Sequence, residues 1–189
     1  MKDKIKNRIK ESISVKETLV KDQLDNIEKA AKAIIDSLKS GGKLLAFGNG
    51  GSFADSQHIA AELVGRFKKE RRPFAAIALG SNLPLLTAIA NDYGYAEVFS
   101  RELMALGKKG DVAFGISTSG NSKNVIEAIK KAKSMGIATI ALLGGDGGIL
   151  KKEADIVIIV PSKDTPRVQE SHIMIGHILC ELIEEALTK

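Results

Sequence analysis

The sequence predicts one α/β domain built on a parallel sheet, and three observations lead there. A chain of 189 residues with 44% hydrophobic content can bury a core, and this length favours a single domain over 1–189. Five short runs are continuously apolar: KLLAF (43–47), FAAIAL (74–79), DVAFGI (111–116), ATIALL (138–143) and DIVIIV (155–160). A strand covered on both faces requires such continuous apolarity. Helical patterns separate the runs, and that alternation argues for parallel pairing through right-handed crossovers.

Each element follows in order. Over 5–38 apolar residues recur at helical spacing through Ile13, Val20, Leu24, Ile27, Ala31, Ile34 and Ile35, which predicts one long or two shorter helices. They end at KSGGK, where a glycine pair suits a C-cap. These N-terminal helices, about 1–40, carry more Ile, Val and Leu than one sheet face needs, so they are expected to serve oligomerisation. Further helices are expected over 52–67, 83–91, 98–106, 121–135 and 168–187. GGDGG (144–148) reads as a loop, because the strand pattern resumes after it. No internal repeat or interdomain linker interrupts the pattern.

The opening MKDKIKNRIKESIS alternates charge with isolated Ile and holds no apolar run long enough for a signal peptide or a membrane span. A cytoplasmic protein with no membrane partner is expected. Cys180 is the single cysteine, which excludes an intrachain disulfide and a Cys-based metal cluster. The net charge of +5 invites a nucleic-acid reading, but aromatics are only 4% and the lysines are dispersed. The run RFKKERR (66–72) is read as a solvated connector, and nucleic acid is not expected as a partner. A basic balance also suits a small phosphorylated substrate.

Ligands of an open parallel sheet gather at the carboxyl ends of its strands. Here the first and third runs each end in a turn of small polar residues, GNGGS and STSGNS. The second offers serine hydroxyls, Thr118, Asn121 and backbone amides at a helix N-terminus, where the macrodipole favours negative charge. It is a phosphate cradle without a cation, although the same residues also serve as ordinary helix caps. Neither loop matches the Walker pattern or a complete dinucleotide fingerprint, which weakens ATP and NAD readings.

The helix that GNGGS opens carries His58 and Glu62 one turn apart, on one face beside Asp55. The other two histidines, His172 and His177, lie on the last helix. Among its Ile and Leu neighbours His177 is expected to be largely buried. Asn91 and Asp92 are expected just after the second core helix. Polar groups where an apolar interior is due mark places to look for function.

Taken together, GNGGS, the ND pair, GISTSGNSKNVIEA and RVQESHIMIGH resemble the heptose-phosphate isomerases of the sugar isomerase (SIS) domain family, from the N-terminal helices to the last. The resemblance implies a five-stranded flavodoxin-like parallel sheet with helices on both faces, a homotetramer, and interconversion of sedoheptulose 7-phosphate with D-glycero-D-manno-heptose 7-phosphate. In the family this reaction starts the pathway to the heptose of surface polysaccharides. Carried over by motif, Glu62 is the base and His177 its acid-base partner. Asn49, Gly50, Gly51, Ser52, Asn91 and Asp92 contact the sugar, and Ser117, Thr118, Ser119 and Ser122 hold the phosphate. A zinc site, one ion per subunit, maps to His58, Glu62, Gln169 and His177, with Glu62 and Gln169 also available to substrate. Gln169 and His177 are eight residues apart, about 12 Å of helical rise, so His58, Glu62 and His177 are expected as the firm ligands and Gln169 as a conditional one.

Two rival readings share the loops. A non-catalytic SIS tetramer could sense sugar phosphates or bind a replication initiator. An aminosugar-phosphate isomerase or deaminase would use the same phosphate loop. The presence of His58, Glu62, Gln169 and His177 together favours an enzyme.

Overall fold

The computed structural model describes residues 1–188. Five parallel strands, β1 (Leu44–Gly48), β2 (Ala76–Ala78), β3 (Val112–Ser117), β4 (Ala138–Gly144) and β5 (Ile156–Val160), form one sheet in the order β2-β1-β3-β4-β5. This is the flavodoxin-like order, in which the winding reverses between β1 and β3 and leaves a crevice at their carboxyl ends. The helices are α1 (Lys2–Asp22), α2 (Leu24–Lys39), α3 (Gly51–Val64), α4 (Leu83–Tyr93), α5 (Val98–Leu106), α6 (Lys123–Ser134), α7 (Leu150–Glu153) and α8 (Thr165–Leu187).

Alternate strand residues serve two cores. Leu44, Ala46, Phe114 and Ile116 face α2, α3 and α8, whereas Leu45, Phe47, Ala113 and Leu143 face α4 to α7. Both Phe47 and Phe114 are fully buried on opposite faces, each side chain contributing about 2–3 kcal/mol by its removal from water. The expected doubly covered sheet is present. α1 stands apart: Leu19 is its only buried residue, while Ile5, Ile9, Ile13 and Val20 are each at least half exposed.

Several boundaries differ from expectation for local reasons. The N-terminal helical segment is two helices, broken at Gln23, whose Oε1 accepts from Ile159 N at 3.2 Å and so ties the break to strand β5. Phe74 N donates to Leu63 O, so the second strand begins only at Ala76. Asn91 and Asp92 lie inside the last turn of α4 rather than after it. The short α7 has no sequence signal, since Leu150 is its single buried residue among charged neighbours.

RFKKERR is not a solvated connector throughout. Arg71 is buried against Glu184 of α8, with Nε 3.0 Å from Oε1, and both side chains are under 5% exposed. Glu184 also accepts from the backbone N–H groups of Phe67, Lys68 and Lys69, so the connector is fastened to the last helix.

The buried histidine of α8 is His172, and His177 is only half-buried. The helix turns His172 toward the sheet, where its Nε2 lies 3.1 Å from Leu143 O. Burial penalises the imidazolium, and the backbone carbonyl offsets this only in part, so its pKa falls from 6.5 to about 4. The unfolded chain therefore takes up a proton here that the folded chain refuses. This stabilising term is complete above pH 6.5 and is lost as pH falls toward 4. His172→Gln should reduce the loss of stability between neutral and mildly acidic pH by about 2–3 kcal/mol, read from urea unfolding at both. An unchanged difference would place the acid sensitivity elsewhere.

Candidate functional site

β1 delivers the chain to the crevice at Gly48, and Asn49 and Gly50 turn it into α3. Gly50 caps that helix with no side-chain bond, and Ser52 N donates to Asn49 O at 3.0 Å. Four residues of the GNGGS motif thus sit at the mouth of the crevice. Ser52 is buried, whereas Gly50 and Gly51 are exposed.

α3 then carries His58 and Glu62 to α8. The two helices approach closely because Gly176 has no side chain: a Cβ there would come 2.8 Å from Ile59 Cδ1. At that approach His58 Nε2 lies 2.9 Å from His177 Nε2 and 3.2 Å from Glu62 Oε1. Glu62 and His177 are half-buried, and Phe67 covers His177 with ring centroids 5.9 Å apart. One carboxylate and two imidazoles converge from two helices.

These donors fit a metal ion. One atom from each of the three residues lies within 4.8 Å of the others. Four-coordinate zinc with bonds of about 2.0–2.1 Å separates its ligand atoms by about 3.3 Å, so small outward movements would admit an ion. Two imidazole nitrogens facing each other at 2.9 Å also require that one carry a proton, which a cation would replace. Gln169 is placed differently. A Cβ on Gly51 would come 2.4 Å from Gln169 Nε2, so its amide lies at the start of α3, about two turns before His58. The structure groups Gln169 with the first loop.

Asp55 lies one turn before His58, and its Oδ2 is buried with no partner among the described residues. Burial raises its pKa to about 6, against an opposing pull from His58. A carboxylate in that state can accept a hydrogen bond from a ligand hydroxyl.

The second loop joins β3 to α6. Ser117 Oγ lies 2.9 Å from Ser122 Oγ, and Ser119 Oγ accepts from Asn121 N at 3.2 Å. Although Ser122 occupies the N-cap of α6, its side chain makes no capping bond, so the bland capping account does not describe it. Lys123 and Asn124 open α6, whose first backbone N–H groups have no intrahelical acceptor. The loop passes so close to the β4–α7 connection that a Cβ on Gly120, at φ 67°, would come 2.1 Å from Gly147 O. Only glycine suits both that contact and that dihedral. Thr118 and Ser119, with Lys163 of the β5–α8 connection and Thr165 at the start of α8, line a cavity of about 220 Å³. Asn91 and Asp92 are exposed and bonded to each other, Nδ2 to Oδ1 at 2.9 Å.

Comparison with known proteins gives this geometry its family. The profile described as SIS domain matches residues 9–144. The chain belongs to the SIS domain family. Within that family it is 53% identical over 189 residues to a phosphoheptose isomerase of Clostridium acetobutylicum, covering 99% of this chain and 96% of the relative. It is 54% identical to a phosphoheptose isomerase of Aquifex aeolicus, covering 98% and 97% of the two chains. The solved phosphoheptose isomerase of Neisseria gonorrhoeae superposes with a TM-score of 0.92 at 43% identity, covering 97% of this chain and 98% of that one.

Two parts of this SIS domain site carried no signal in the sequence. Asn124 is buried and pairs with Asn49, and Tyr95 Oη donates to Asn49 Oδ1 at 2.9 Å. Asn124 stands at a helix start, where Asn is an ordinary residue. Tyr95 sits in a short 3-10 turn with no periodicity to assign it.

Proposed function

We propose that this chain is an aldose-ketose isomerase that interconverts sedoheptulose 7-phosphate and D-glycero-D-manno-heptose 7-phosphate. The observation that supports this most is the meeting of His58, Glu62 and His177 in a chain alike over nearly its full length to phosphoheptose isomerases. Its product would supply heptose for a surface polysaccharide.

In this reading Ser117, Thr118, Ser119 and Ser122 hold the phosphate, with the free amides of α6 directed at it. Asn49, Gly50, Gly51 and Ser52 hold the sugar, joined by Asn91, Asp92 and Gln169. The Glu62 carboxylate takes the proton from C1 of the open-chain ketose while the C2 carbonyl oxygen gains one, giving an enediol. Glu62 then returns its proton to C2 as the O1 hydroxyl loses one, leaving the C1 aldehyde. His177, as a half-buried imidazole, moves the oxygen-bound protons and assists ring opening. A zinc ion held by His58, Glu62 and His177 would polarise the substrate carbonyl, and Gln169, expected as a conditional ligand but with its amide by Gly51, is left to the sugar.

Incubation of the purified protein with sedoheptulose 7-phosphate tests the proposal, with the aldose as expected product. Absence of that aldose, or preference for an aminosugar phosphate, would overturn it. Ser119→Ala combined with Ser122→Ala should raise KM about tenfold or more and change kcat less, because the hydroxyls act on a group remote from the reacting carbons. An unchanged KM would remove the loop from the site.

The same reading assigns residues 1–40 to assembly within a single SIS domain. Ile5, Ile9 and Ile13 form an exposed apolar stripe along α1, and a homotetramer with these helices at its centre would cover it. Light scattering at micromolar concentration should return four times the chain mass, and a monomer would refute it. No helix among the described residues is long and apolar enough to cross a membrane. A cytoplasmic location belongs to the proposed reading, as that of an enzyme acting on a small phosphorylated sugar.

A further inference from the structure

We infer that Asn124 is a positioning residue that fixes the Asn49 amide with an N–H directed to the substrate. This rests on the proposed isomerase reading and on one closed set of hydrogen bonds. Asn124 is 2% exposed and is the second residue of α6, immediately after the phosphate loop. Asn49 lies in the sugar loop at the end of the neighbouring strand. The two amides pair reciprocally: Asn49 Nδ2 donates to Asn124 Oδ1 at 2.9 Å, and Asn124 Nδ2 donates to Asn49 Oδ1 at 2.8 Å.

Ordinarily the two ends of an amide can exchange places. Here a backbone group decides. Val125 N donates to Asn124 at 3.0 Å, and a backbone N–H can only donate, so the atom it meets must be Oδ1. That fixes Asn124, which in turn fixes Asn49 as donor through Nδ2 and acceptor through Oδ1. Tyr95 Oη takes the other lone pair of Asn49 Oδ1 at 2.9 Å. The carbonyl of Asn49 is thereby saturated, and one N–H remains unassigned among the described residues. Asn49 can offer a substrate oxygen a donor and cannot offer it an acceptor. The same pair also fixes the spacing between the loops that follow the adjacent strands β1 and β3. One loop is assigned to the sugar and the other to the phosphate, so the pair sets the distance between those two ends of the ligand.

Asn124→Asp is the decisive variant. It is isosteric and keeps an acceptor for Val125 N, but it turns a second oxygen toward Asn49 Oδ1 and abolishes the reciprocal bond. It should lower kcat/KM about tenfold or more, and in an Asn49→Ala background the same change should cost less than about twofold, because its route has been removed. A loss that persists undiminished beside Asn49→Ala, or near-normal kcat/KM in Asn124→Asp, would overturn the inference. A substrate-free readout separates it from the isomerase reading. The Asn49 side-chain amide resonances in a ¹⁵N–¹H spectrum of the whole protein should shift in Asn124→Asp. If they stay in place the positioning role fails, whatever the wild type isomerises. If the wild type converts no sedoheptulose 7-phosphate, only the isomerase reading fails, and the spectrum still decides on Asn124.

Discussion

Glu62→Gln should lower isomerisation by about a thousandfold while leaving the fold and assembly intact. The amide keeps the volume of the carboxylate but has no proton-accepting charge, and general acid-base groups typically contribute factors of about 10²–10⁴. His177→Gln should fall by a similar factor, since the group that serves the oxygens is lost. The two variants differ in what else they disturb. Glu62 Oε1 already lies 3.2 Å from His58 Nε2 on its own helix, whereas His177 reaches His58 from α8 at 2.9 Å. Removal of either should weaken metal binding, measured as ion retained after dialysis. Gln169→Ala should retain detectable metal, since its amide lies by Gly51. Circular dichroism and mass must stay at wild-type values for the reading to hold. Near-normal turnover in Glu62→Gln would sink the base assignment.

Much of this architecture was legible because its signals are local. A covered parallel strand must be apolar along its whole length, so DIVIIV and DVAFGI declare themselves without any knowledge of their neighbours. GNGGS and STSGNS are legible for a similar reason, since a turn into a helix at a strand end needs small polar residues. Glu62 and His58 are one turn apart and therefore share a face on any helix. What stayed hidden depends on partners distant in sequence. Arg71 looks like one charge in a basic run until Glu184, 113 residues later, is placed against it. His172 and His177 lie on one helix among similar residues, and the sequence does not say which faces the sheet. Asn124 looks like a helix-start residue until Asn49 is placed beside it.

Glu184→Ala should destabilise the protein by about 3 kcal/mol or more, the largest loss expected from a residue outside the reacting groups. Burial alone would raise the Glu184 pKa, but the N–H groups of Lys68, Phe67 and Lys69 and the Arg71 guanidinium hold it below the usual glutamate range. Removing the carboxylate leaves three backbone donors and one buried cation without their acceptor, and breaking one side of a buried pair costs about 3–5 kcal/mol. In a chain of this size that is a fall of roughly 6–12 °C in melting temperature at fixed protein concentration. The damage should also reach the candidate site. Arg71 Nη2 donates to Glu62 O and Nη1 to Leu63 O, both at 2.9 Å, so the same guanidinium that meets Glu184 caps the end of α3 that carries Glu62. Loss of the anchor should therefore loosen Glu62 against His177 and weaken metal retention at temperatures where the variant is still folded. A paired replacement separates the two parts of the loss: Arg71→Met with Glu184→Leu removes both charges together and should recover the part due to the stranded cation, but not the part due to the backbone N–H groups of Phe67, Lys68 and Lys69, which leucine leaves without an acceptor. It should not recover metal retention, because methionine cannot donate to the Glu62 carbonyl. If Glu184→Ala melts within a degree or two of wild type, the connector is held by its other contacts, and the link from this anchor to the triad fails with it.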